Sequence, residues 1–156
     1  MHLQIITALA DARSSGRCDY REVLNVVSAI VAPCLSEFKE ADDLRELWLG
    51  IVEDRVSTAE LKAAAASRQA IANQEEPPIG ALAEAFAAAA LVSARNALVA
   101  ARGPEELNWL SAFRLKCSLR RVLESANDAA ELTPLGRASR VTDSLAAYVN
   151  ATVVAA

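Results

Sequence analysis

The single histidine, His2, stands beside the first residue, a poor place from which to run general acid/base chemistry or to activate a serine or cysteine nucleophile. Carboxylates, guanidiniums and hydroxyls are what remain. Glu37-x-x-Glu40, followed by Asp42, Asp43 and Glu46, gathers oxygen ligands of the kind a hard cation such as magnesium accepts. Further along, Ser111, Arg114, Ser118, Arg121 and Ser125 recur every three or four residues, which on a helix makes one stripe, with Lys116 and Arg120 on another side. Guanidinium forks match the geometry of phosphate and carboxylate, so this stripe is a candidate anion site. Cys18, Cys34 and Cys117 are widely spaced and form no Cys-x-x-Cys pair, arguing against a zinc site or a disulfide framework and for a reducing, cytoplasmic setting. The five glycines are isolated, so no phosphate-cradling loop is present.

The acidic turn invites comparison with the all-α nucleotide pyrophosphatases, which pair such a turn with a second Glu-x-x-Asp pair on the following helix. Here Glu53 and Asp54 are adjacent, and Glu60 has no acid three residues on, so the pattern departs from theirs. A ferritin-like di-iron centre would need Glu-x-x-His, which is absent. The reading is therefore a non-enzymatic protein with no cofactor and no metal, and a magnesium-dependent hydrolase on the Glu37–Glu46 turn is its enzymatic alternative.

Charge points to partners. The net charge of −4 is wrong for a general nucleic-acid binder, which gains affinity by releasing counterions to basic side chains. Residues 1–78 hold 8 basic and 13 acidic side chains, a balance of about −5, whereas residues 79–156 hold 8 and 7, about +1. Glu37, Glu40, Asp42, Asp43, Glu46, Glu53 and Asp54 form the acidic concentration. Leu49 points away from the apolar face of its helix toward Arg45, Glu46 and Glu53, as an anchor for a partner would. Ser93 and Asn96 are read as facing inward on an apolar helix, where together with Arg114 they could line a small-ligand pocket.

Placing these residues requires helices. Alanine is abundant and is the strongest helix former, aromatics make up only 4%, and no segment alternates as a strand would. Gly16, Pro33, Pro77-Pro78, Gly103-Pro104 and Pro134-x-Gly136 punctuate seven segments with helical spacing. These are predicted at about 2–15, from a capping box at Asp19 and Glu22 to a break or kink at Pro33, 42–56, 58–72 behind a second box at Ser57 and Glu60, 79–102, 105–130 and 137–154. Glu84, Arg95 and Arg102 leave the 79–102 segment only a narrow polar stripe, marking it as central. Trp109 and Phe113 are read as core anchors, with Trp48, Phe86 and Tyr148. No signal peptide is read at the start, and the apolar run Ala85–Ala94 is bounded by charges, so no membrane association is expected.

The expected fold is all-α: one domain over residues 1–156, a bundle of six or seven helices around residues 79–102. The expected function is protein binding of a bacterial immunity or inhibitor type, in which the acidic face neutralises a basic partner. A small-ligand-sensing bundle is the third reading, and homodimerisation is open to each.

Overall fold

In the computed structural model, the described residues 2–36 and 42–132 form six helices and no strand: α1 (His2–Ser14), α2 (Tyr20–Ser36), α3 (Asp42–Val52), α4 (Thr58–Ala72), α5 (Ala81–Ala101) and α6 (Trp109–Glu131). Glu37, Glu40 and the segment predicted as a seventh helix, with Tyr148, lie outside the described residues.

Local chemistry sets most of the boundaries. Asp19 and Glu22 form the reciprocal box: Glu22 N–H donates to Asp19 Oδ1 at 3.0 Å, and Asp19 N–H donates to Glu22 Oε2 at 3.2 Å. Ser57 Oγ accepts from Glu60 N–H at 3.1 Å and opens α4. Three boundaries differ from the sequence expectation. α2 runs through Pro33 to Ser36, so the proline, which removes the ladder donor to Ala29 O, does not end the helix where it stands. α3 stops at Val52 because Asp54 adopts left-handed backbone (φ 57°), with Arg55 N–H returning to Gly50 O at 2.7 Å and Asp54 N–H to Ile51 O at 3.2 Å. That pair of bonds is a Schellman closure with aspartate in the place glycine usually fills. α6 begins at Trp109, since Asn108 Oδ1 accepts from Ser111 N–H at 2.8 Å, leaving Glu105 and Glu106 in the preceding link.

The core is alanine against aliphatics. α5 buries Ala83, Ala87, Ala88, Ala94, Ala97 and Ala101 with Leu91 and Leu98. Small side chains on this central rod let α6 settle closely, and Leu115, Leu119, Val122 and Leu123 fill the space between. Val23, Val26, Val27 and Ile30 of α2 pack on the same rod, and α3 and α4 cover other sides with Leu44, Trp48, Ile51 and Leu61. α5 is long and apolar enough to cross a membrane, yet half of that window is covered by neighbouring helices, as a core helix requires.

One buried cation holds this arrangement together. Arg13, 3% exposed, donates to Ala101 O at 2.8 Å, Glu105 O at 3.0 Å, Pro104 O at 3.1 Å and Gly103 O at 3.4 Å. It thereby uses the carbonyls left free where α5 ends. Leu107 N–H adds a bond to Ser14 O at 3.0 Å. Gly16 (φ +77°) allows the approach, because a Cβ there would meet Glu105 Cγ at 2.9 Å and Glu105 O at 3.0 Å. The start of α6 is thus set by the end of α1.

Candidate functional site

Between α5 and α6 lies a groove of about 800 Å³. Asn96, Val99 and Ala100 of α5 line one wall, and Ser111, Phe113, Arg114, Cys117, Ser118 and Arg121 of α6 line the other. Thr58 and Arg95, hydrogen-bonded to one another, complete the lining. No acidic side chain is among the described lining residues.

The three arginines differ in employment. Arg95 is committed: it donates to Val56 O at 3.2 Å and to the Thr58 hydroxyl, fastening the α3–α4 junction to α5. Arg114 and Arg121 are exposed and, among the described residues, form no hydrogen bond or ion pair. Four members of the predicted serine and arginine stripe, Ser111, Arg114, Ser118 and Arg121, therefore meet in one groove, with Asn96 opposite. Ser93, by contrast, is buried in α5 and does not line it, and Asn96 is exposed rather than inward.

The aromatic expectation is corrected here as well. Trp109 is 78% exposed and Phe113 59%, so both stand on the surface rather than in the core, and Phe113 lines the groove. The buried arc of α6 runs through Leu115, Leu119, Val122 and Ala126, and at 100° per residue Trp109 and Phe113 fall roughly a third of a turn off it. Val99 and Leu110 extend this apolar surface.

The acidic face is arranged differently. Asp42 pairs with Arg45 at 2.7 Å, Asp43 with Arg68, Glu53 with Arg55 at 2.5 Å and Asp54 with Arg102 at 3.2 Å. Arg68 also approaches Glu84 Oε2 at 3.7 Å, bringing α3, α4 and α5 to one point, although its Nε is buried without a hydrogen-bond partner. Arg102 stacks over the Tyr20 ring, 5.2 Å from its centroid, and donates to its hydroxyl at 3.2 Å. Glu46 alone of the five described acids of this face has no ion-pair partner among the described residues. Leu49 is 54% exposed beside it, as the helical wheel indicates. Among the described residues, no three histidine, cysteine or acidic side chains converge as a metal would require.

No family model matches the chain, and neither the curated proteins nor the solved structures contain a match to it.

Proposed function

We propose that the chain is a non-enzymatic binding protein whose α5–α6 groove takes a ligand combining an anionic group with an apolar body. The observation carrying this reading is the pair Arg114 and Arg121, uncompensated among the described residues, in a groove walled by Val99 and Phe113. Unpaired guanidiniums supply charge-assisted hydrogen bonds to carboxylate, sulfonate or phosphate, and exposed aromatic surface supplies the area that slows release. The volume lies within the range of ligand clefts.

Titration with anilinonaphthalene sulfonate and with dodecyl phosphate tests it directly. Saturable binding of both is expected, weakened at least tenfold by Arg114→Glu with Arg121→Glu at unchanged melting temperature. Binding that is absent, or indifferent to the double charge reversal, would remove the proposal.

A second reading keeps the acidic face as the contact for a basic partner protein, and exposed Leu49 beside Glu46, which has no ion-pair partner among the described residues, favours it. Its test is Asp43→Lys with Glu46→Lys against that partner: an unchanged affinity and salt dependence ends it.

A further inference from the structure

Resting on the groove reading above, we infer that the natural occupant is an amphipathic α-helix of a partner protein, with acidic side chains two turns apart flanking an apolar face. Three observations carry this. The first is length: the α6 wall runs from Ser111 to Arg121, about 15 Å at 1.5 Å per residue, or nearly three turns of helix. A lone anionic headgroup needs no such extent.

The second is periodicity. Ser111 repeats as Ser118 and Arg114 as Arg121, each after seven residues, so the polar wall has a two-turn repeat of about 10.5 Å. A helix lying along α6 at the shallow crossing angle common in bundles has the same repeat, so acids at positions i and i+7 meet Arg114 and Arg121 together. The hydroxyls of Ser111 and Ser118 and the Asn96 amide form no side-chain hydrogen bond among the described residues, and they complete the polar edge.

The third is the composition of the open side. Val99 and Phe113 line the groove and are exposed, Leu110 is exposed one turn before Arg114, and apolar side chains set beside arginine are what a helix-in-groove contact uses. Arg13 fixes the link that leads into this turn, so the anchors are presented by a settled backbone.

The experiment is selection from a phage-displayed library of helix-favouring 14-residue peptides against the full chain, run beside dodecyl phosphate. The expected outcome is enrichment of peptides with Asp or Glu seven apart and Leu, Ile or Phe between. Those peptides should slow iodoacetamide alkylation of Cys117, the groove-lining thiol, and lose at least tenfold in affinity to Arg114→Glu with Arg121→Glu. Lysine-for-acid versions of the same peptides should regain binding to that variant. Enriched peptides lacking the spacing, or indifferent to charge exchange, overturn the inference. Dodecyl phosphate binding with no peptide enrichment overturns it while leaving the groove reading in place, and failure of both removes the two together. Two further results also overturn it. One is concentration-dependent dimerisation abolished by Phe113→Ala, which makes a second copy the occupant. The other is faster Cys117 alkylation in the full chain carrying Leu145→Arg and Tyr148→Glu, which makes the chain's own residues the occupant.

Discussion

Two surfaces of this bundle carry charge, and they treat it in opposite ways. Around α3 and the junction that follows it, Asp42, Asp43, Glu53 and Asp54 each meet an arginine of the same chain, two of them brought from α4 and from the end of α5. Along the α5–α6 groove, Arg114 and Arg121 meet no acid among the described residues. Charge density in a sequence therefore says little about which face is open to a partner. What matters is whether the opposite charge has already been supplied from within the molecule, since an exposed pair of this kind gains little and is soon screened.

The contrast can be broken most severely at the frame. Arg13→Met should lower stability by about 3–5 kcal/mol in denaturant unfolding, because the carbonyls of Ala101, Pro104 and Glu105 lose a buried charged donor together. At Arg114 and Arg121 the change should appear in binding alone: charge reversal reduces ligand affinity tenfold or more, and the thermal transition stays where it was.

A third measurement separates the thiols. Burial first, and then the Glu22 carboxylate, pushes the Cys18 thiol up from 9.0 to about 11. The folded chain then holds this proton after the unfolded chain has released it, so the contribution is complete below about pH 9 and is lost as pH rises through about 11. Stability should fall by up to about 1.4 kcal/mol per pH unit in that window. Cys18→Ala should flatten this slope, and an identical slope in the variant would refute the assignment. At neutral pH Cys117 should alkylate well before Cys18 and Cys34, which are buried.

The smallest effects belong to the compensated face. Asp42→Asn and Glu53→Gln should each move the melting temperature by no more than about 2 °C and leave groove binding untouched, as expected for exposed ion pairs. Asp43→Asn should cost more than either, because its partner Arg68 is mostly buried and already has one unsatisfied nitrogen.

What could be read in advance divides along the same line between local and distant causes. The Asp19 and Glu22 box, the Ser57 cap and the inward set Val23, Val26, Val27 and Ile30 were legible because each depends on residues three or four apart. The stripe from Ser111 to Arg121 was legible for the same reason. Where α6 starts was not, because Asn108 and the distant Arg13 decide it between them, against Pro104 and two glutamates that resemble a helix opening. Trp109 and Phe113 were misplaced because side-chain type alone does not say which arc of a helix its neighbours cover. Asn96 turned out exposed because α6 leaves that side of α5 open. The pairing of Asp43 with Arg68 and of Asp54 with Arg102 spans separations that no local pattern encodes.

The carbonyl cluster around Arg13 also decides how the molecule would survive being cut. Between Asn73 and Gly80 the backbone bonds of the link are all to near neighbours, so hydrolysis there leaves two fragments still gripping one another through α5. Hydrolysis between Gly103 and Glu106 instead severs the strap that Arg13 holds, so that α6 stays seated on α5 by side-chain packing alone and the spacing of the two groove walls loses its covalent stop.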